Sequence, residues 1–383
     1  MSPTKLSAVD QLLDRYDPQV FELARDSARI RLQGAGSESI DVLLDGRGAR
    51  TVKPDGRPDA VLSADQATWE KIGQNLAGGM EAFRSRRLEI RHDLHLGVGF
   101  LAATAGAGSG GLRFRQVSTA AGEISICEAG SGPATLMIHG LGATKASFLP
   151  TLAALAPTHR AIAVDLPGFG DSVKPLRAPY HPPYFAGAMC ALLDALELKS
   201  AHIVGNSMGG RVALELGLRF PERVRRLALL APSLAWRRSR PWAPALRLVA
   251  PKLGLVQPAP RRVVEAIVQR VVPGAETAWT AAGVDEFLRS YLTPRGRAAF
   301  YTAARNIYLE EPHGPKGFWT RLPELQAPSL FVWGRQDKIV PIGFQAHVRE
   351  ALPRAEHLEL DCGHVPQLER PRELHRVLLN FLG

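Results

Sequence analysis

Apolar positions along this chain follow two different rhythms, which meet near residue 110. In the first stretch a helical opening precedes the apolar run Ile40 to Leu44, and Asp45-Gly46 closes that run with a turn signal. Trp69, Ile72, Leu76 and Met80 recur at helical spacing behind Ser63, a residue type suited to capping a helix, and Leu88-Glu89-Ile90 reads as a further strand. Ala102 to Gly111 is rich in Gly and poor in large side chains, which marks a linker and a domain boundary.

From Leu112 onward short apolar runs alternate with helical stretches, the pattern of a parallel sheet covered on both faces. Arg113 to Val117 and Ile124 to Glu128 suit an entering hairpin. Thr135 to Ile138, Ala161 to Val164, His202 to Val204 and Leu227 to Leu230 suit central strands, and Leu330 to Trp333 and His357 to Leu360 resume the series. Between Pro232 and Leu325 the strand rhythm stops, and Pro, Arg and Trp accumulate around helical stretches such as Val263 to Val272. A structureless loop of that length does not suit a compact domain, so the segment predicts a helical cap at about 232–325.

At 383 residues the chain exceeds the usual single domain, and 45% hydrophobic with 22% charged residues is ordinary globular usage. The net charge of +10 is spread along the chain, with no nucleic-acid motif, so a nucleic-acid partner is not expected. The segment Pro232 to Thr320 holds 13 Lys and Arg against 6 Asp and Glu, which suits a solvated basic face and leaves peripheral membrane or lipid contact open. Cys127, Cys190 and Cys362 are widely spaced and form no C-x-x-C pair, and the N-terminal residues lack a continuous apolar core. A reduced, cytoplasmic protein is the expectation; the oligomeric state is not legible.

Chemistry concentrates in the second part. Gly205-Asn206-Ser207-Met208-Gly209 follows an apolar strand and precedes the helical run Arg211 to Phe220, the context that a G-x-S-x-G nucleophile turn requires. A serine hydroxyl is a weak nucleophile, so a histidine must take its proton and a carboxylate must orient that histidine. In chain order Ser, acid, His, the candidates are Asp337, just past one predicted strand, and His364, just past the next. The oxyanion of acyl transfer needs two backbone donors. Met208 supplies one, and Leu141 in His139-Gly140-Leu141-Gly142 is the candidate for the other. Asp165 and Asp171 read as residues that order a loop, Cys362 as a small buried side chain. Trp236, Trp242, Trp279, Phe318 and Trp319 more often pack the cap's own core than line a pocket.

Residues from about 112 to 383 resemble the α/β-hydrolase superfamily, in its capped esterase, lipase and carbon–carbon hydrolase branch. The resemblance rests on His139-Gly140, Asp165 to Ser172, Gly205 to Gly210, Gly334 to Asp337 with Val340-Pro341, and Gly363 to Pro366 with Glu369-Arg370-Pro371. It implies an α/β fold, a mostly parallel sheet with a helical cap, and a carboxylic-ester hydrolase acting on a lipophilic substrate through an acyl-enzyme, without cofactor or metal. Relatives with an aspartate nucleophile are excluded by Ser207. Asn206 to Gly210 is also similar to the nucleophile region of meta-cleavage-product hydrolases, which cut a C–C bond; those enzymes typically place Trp after the histidine, where this chain has Val365. A lipid-binding protein with a vestigial hydrolase is the third reading.

The first part, residues 1–110, resembles an SCP2-type sterol-carrier domain. Gly79-Met80-Glu81-Ala82-Phe83 leading through Leu88 to Arg91 into His92-Asp93-Leu94 carries that likeness. It implies a small α/β domain enclosing an apolar tunnel for lipids or acyl chains, followed by the hydrolase domain at 111–383.

Overall fold

The computed structural model describes residues 8–34, 39–74, 78–105, 111–235 and 278–383, with isolated positions between 255 and 266. The chain divides into two compact units. The first takes Met1–Gln116, Cys127–Gly130 and Glu276–Arg289; the second takes Val117–Ile126, Ser131–Ala275 and Ser290–Gly383.

The first unit holds a five-stranded sheet in the order β3-β2-β1-β4-β5, from β1 (Ser27–Gln33), β2 (Ile40–Asp45), β3 (Gly48–Val52), β4 (Ala60–Ala64) and β5 (Leu88–Arg91). Strand β1 pairs antiparallel with β2 and parallel with β4. Among the described residues before 110 the helices beside the sheet are α1 (Ala8–Leu13), α2 (Gln66–Gln74), α3 (Gly78–Arg84) and α4 (Leu94–Ala103). All ten residues of α4 are buried, which follows from a sequence whose only polar member is His95. Gly97 permits the close approach of α4 to β5, because a Cβ there would lie 2.5 Å from Ile90. Asp93 caps α4, its carboxylate accepting from the Leu96 amide at 2.8 Å.

The structure corrects one expectation in this unit, the Ser63 cap, and adds a strand. Among the described residues the opening is helical over α1, and β1 was not foreseen, because its alternation of Arg with Ile and Leu spans few residues. Ser63 lies in β4, and Asp65 caps α2 instead, accepting from the Thr68 amide at 2.7 Å. The helix behind it is described over Gln66–Gln74, and Leu76 and the Met80 side chain lie outside the described residues.

An eight-stranded sheet runs β13-β12-β11-β10-β8-β9-β7-β6. Its strands are β6 (Arg113–Thr119), β7 (Gly122–Ala129), β8 (Ala134–Ile138), β9 (Arg160–Val164), β10 (Ala201–Asn206), β11 (Val224–Leu230), β12 (Ser329–Gly334) and β13 (Glu356–Leu360). Strands β9, β8, β10, β11, β12 and β13 pair parallel in succession. Every residue of β8, β10 and β12 is buried, as continuous apolar runs in a doubly covered sheet must be. The flanking helices are α5 (Leu149–Leu155), α6 (Pro182–Ala195), α7 (Met208–Arg219), α11 (Phe344–Ala351), α12 (Pro366–Glu369) and α13 (Pro371–Leu382).

Between β11 and β12 stand α8 (Ala278–Tyr291), α9 (Pro294–Leu309) and α10 (Phe318–Arg321), so the described part of the predicted insertion is mostly helical. Trp236, Trp242, the Trp279 side chain and most of Val263 to Val272 lie outside the described residues. Phe318 and Trp319 belong to the core of the second unit, and Trp319 donates to the Ala235 carbonyl. Among the described residues all three cysteines are free thiols, and no helix is long and apolar enough to cross a membrane.

Candidate active site

Strand β10 ends at Asn206 and α7 begins at Met208, so the chain must reverse within Ser207 alone. That residue has φ 53° and ψ −117°, a conformation that costs a non-glycine side chain about 1–3 kcal/mol and persists only where surrounding contacts impose it. They do: the Ser207 amide donates to Leu230 O at 3.0 Å, and Ser207 O accepts from Ser233 and Arg211 amides. The flanking glycines are required by backbone contact. A Cβ at Gly205 would lie 2.4 Å from Gly209 O, and one at Gly209 would lie 2.1 Å from Ile138 O.

Asp337 and His364 are brought together across 27 residues by the parallel pairing of β12 with β13. His364 Nδ1 lies 2.8 Å from Asp337 Oδ2, while Asp337 Oδ1 accepts from the Ile339 amide at 2.8 Å and the Val340 amide at 3.0 Å. With its carboxylate buried and fully engaged, Asp337 holds the imidazole with the proton on Nδ1 and leaves Nε2 as acceptor. Asn206, beside Ser207, donates to the His364 carbonyl at 3.0 Å and to Leu230 O at 3.0 Å, which ties the elbow to the histidine loop.

Gly140 to Ala143 forms a turn closed by the Ala143 amide on Gly140 O at 3.1 Å, with Gly142 at φ 76°. A Cβ on Gly140 would lie 3.2 Å from Ser207 Cβ, so the Leu141 corner borders the elbow. Met208 is the first residue of α7, and helix geometry gives its amide no intrahelical acceptor. His139 Nε2 accepts from the Leu166 amide at 3.0 Å, which places its proton on Nδ1, donating to Gly140 O at 2.7 Å.

Several supporting residues escaped sequence reasoning. Glu369 spans the histidine loop, with Oε2 accepting from the Gly363 amide at 2.7 Å and Oε1 from the Val365 amide at 2.9 Å. It stood within a recognised motif, yet nothing in the sequence stated what it binds. Lys145 is buried against Asp165 at 2.5 Å and Asp171 at 3.3 Å, and its amide donates to Asp165 at 2.7 Å. Asp165 and Asp171 therefore order a loop, as their sequence context suggested. Arg211, on the second turn of α7, is buried between Glu215 and Glu310 with its guanidinium 4.7 Å from the Phe318 ring centroid. Cys362 is buried, and desolvation first, with Glu369 second, pushes its thiol up to about 12, which keeps it protonated at neutral pH.

Residues 133–371 match the family model described as alpha/beta hydrolase fold, and residues 9–101 match the SCP-2 sterol transfer family. The chain is 28% identical to the 2-hydroxymuconate semialdehyde hydrolase of Pseudomonas sp. (strain CF600), over 70% of this chain and 93% of that protein. It is 30% identical to the 2-hydroxy-6-oxononadienedioate/2-hydroxy-6-oxononatrienedioate hydrolase of Paraburkholderia phymatum, over 67% and 89%. A solved structure of a membrane phospholipase A matches with a TM-score of 0.59 and 29% identity, over 71% of this chain and 86% of that one.

Proposed function

The chain belongs to the α/β-hydrolase family, and on that premise we propose that Ser207, His364 and Asp337 form a triad that opens a carbonyl substrate through an acyl-enzyme. The observation that carries this reading is the Asp337–His364 pair at 2.8 Å, on a carboxylate whose other oxygen is committed to two backbone amides. Ser207 Oγ attacks the carbonyl, His364 Nε2 accepts its proton, and the amides of Leu141 and Met208 receive the oxyanion. His364 then delivers the proton to the leaving group, and water, activated by the same imidazole, releases the acyl group.

The curated relatives favour a C–C bond of a ring-fission product as the bond cleaved, over the carboxylic ester expected from the sequence. The ester reading stands second. It is supported by Val365 after the histidine and by the likeness to a phospholipase A. The SCP2 match supports a lipophilic substrate in either case. Side-by-side turnover of a ring-fission dienoate and a p-nitrophenyl ester decides between them. A kcat/KM at least a hundredfold higher for the dienoate supports the C–C reading, and the reverse ratio replaces it with the ester. Absence of turnover on both, with no fluorophosphonate labelling of Ser207, sinks the triad reading altogether.

A further inference from the structure

The turn that carries Leu141 leaves β8 at His139 and ends in the short helical turn Lys145–Phe148. Both of its ends are tied to two consecutive residues just past β9. At the near end His139 Nε2 accepts from the Leu166 amide at 3.0 Å. At the far end the Lys145 amide donates to Asp165 Oδ1 at 2.7 Å, and the ammonium of the same residue donates to Asp165 Oδ2 at 2.5 Å. One carboxylate therefore grips Lys145 twice, at its backbone and at its side chain. Lys145 is 1% exposed and Asp165 0%, so each charge depends on the other rather than on water.

Asp165 is itself firmly placed. Its amide donates to Ser125 O on β7 at 2.9 Å, its carbonyl accepts from Ser172 Oγ at 2.6 Å, and that hydroxyl accepts from the Ser125 amide at 2.8 Å. The loop after it wraps the carboxylate: the Asp171 amide donates to Oδ2 at 2.9 Å, and a Cβ on Gly170, where φ is 49°, would lie 2.2 Å from Asp165 Cγ. Asp171 adds a second carboxylate 3.3 Å from the Lys145 ammonium. The turn held in this way borders the nucleophile elbow, since a Cβ on Gly140 would lie 3.2 Å from Ser207 Cβ. A shift of residues 140–144 therefore moves their amides relative to Ser207, whereas His364 on Asp337 and the Ser207 amide on Leu230 O are anchored independently of that turn.

We propose that Lys145 is a positioning residue for the oxyanion donor: its double grip on Asp165 fixes residues 140–144, and with them the Leu141 amide, beside Ser207. The catalytic consequence rests on the triad reading above, whereas the anchoring does not. An uncharged side chain in place of the ammonium leaves a buried carboxylate short of its cation. Breaking such a pair from one side costs far more than replacing both partners, so the chain around Asp165 must rearrange. An oxyanion donor acts only when aimed at the place where charge develops, and losing one costs about a hundredfold to a thousandfold in kcat; displacing one is expected to cost about tenfold to a hundredfold.

Full-chain Lys145→Met is compared with wild type by steady-state kinetics on p-nitrophenyl acetate, by inhibition with phenylboronic acid and by peptide-resolved hydrogen exchange. The tetrahedral adduct of the boronic acid on a serine presents an oxygen to the oxyanion donors. kcat is expected to fall about tenfold to a hundredfold while KM stays within about threefold, and the inhibition constant should weaken by the same factor as kcat. The acid limb of the pH profile, which His364 sets, should keep its midpoint. Peptides spanning residues 140–145 should exchange about tenfold faster, with β10 and α13 unchanged. Should that variant not fold, Asp165→Asn is expected to give the same pattern, because a carboxamide accepts at only one of the two positions where the carboxylate serves the Lys145 amide and ammonium. Unchanged exchange over residues 140–145, a fall in kcat with boronic acid binding as before, or an acid limb displaced together with kcat overturns the proposal; the last result would route the effect through His364. Absence of turnover and of fluorophosphonate labelling in wild type removes the triad reading, and the exchange over residues 140–145, faster or unchanged, then upholds or overturns the anchoring by itself.

Discussion

Replacing Asp337 by Asn tests the acid with almost no change in shape. The amide must place its oxygen on one side and its NH2 on the other. At the Oδ1 position two backbone donors, Ile339 N at 2.8 Å and Val340 N at 3.0 Å, demand an acceptor, whereas at Oδ2 only His364 Nδ1 does. Setting NH2 against two N–H groups sacrifices one more hydrogen bond than setting it against one, a difference of about 1–3 kcal/mol, or roughly tenfold to hundredfold in population. The NH2 therefore faces His364, which can satisfy it only by accepting at Nδ1. That moves the imidazole proton to Nε2, where it can no longer receive the Ser207 proton. The wrong tautomer in a serine triad costs about ten-thousandfold in kcat, and the same order is expected here. The assay is stopped-flow and steady-state turnover of whichever substrate wins the comparison above, with the rate of fluorophosphonate labelling as an independent measure of Ser207 nucleophilicity. Thermal unfolding should stay within a few degrees of wild type, since the backbone acceptor role is kept. A variant that retains a tenth or more of wild-type kcat and labels at the wild-type rate refutes the reasoning.

Ser207→Ala should fold and lose both turnover and fluorophosphonate labelling; labelling that persists at another residue would move the nucleophile elsewhere. Gly209→Ala must push backbone apart, since its Cβ would lie 2.1 Å from Ile138 O and 2.6 Å from His139 O, and a melting temperature lowered by less than 2 °C on thermal unfolding would contradict that geometry. Glu369→Gln replaces one of two acceptors that hold the Gly363 and Val365 amides, so kcat should drop about tenfold to hundredfold while KM changes little, and an unchanged kcat would remove Glu369 from the positioning of His364. Burial pushes the imidazoles of His202, His357 and His375 down to about 4, with His159 adding to the effect on His202 and Arg349 to that on His357. Each is neutral when folded and binds a proton more readily when unfolded, so the stability they contribute is present above pH ~6.5 and is lost as pH falls towards 4. The melting temperature should decline across that window, more gently in His375→Gln, and a variant that declines as steeply as wild type would exclude His375 from the effect.

Local pattern sufficed for the sheet of the second unit. Its parallel strands carry short apolar runs bounded by turns, so a reading of runs places β8 to β13 to within three residues at either end. The nucleophile turn was equally legible, because one residue between a strand and a helix forces glycines on both sides, and steric need leaves a mark in sequence. In the first unit the marks were weaker. Strand β1 alternates Arg with Ile and Leu, and its arginines are explained only by Asp41, buried on the neighbouring strand and paired with Arg29 and Arg31.

The sequence by itself determined the fold class, the order of chemical residues and the places where backbone closeness requires glycine, since each depends on neighbours within a few positions. Tertiary structure alone decided which polar groups meet. Glu369 grips two amides, Asn206 reaches the histidine loop, Lys145 is buried on Asp165, and Asp285 finds Arg91 from 194 residues away. A charged residue in sequence carries no record of its partner, because the pairing free energy depends on a burial and a distance that exist only once the chain has closed on itself.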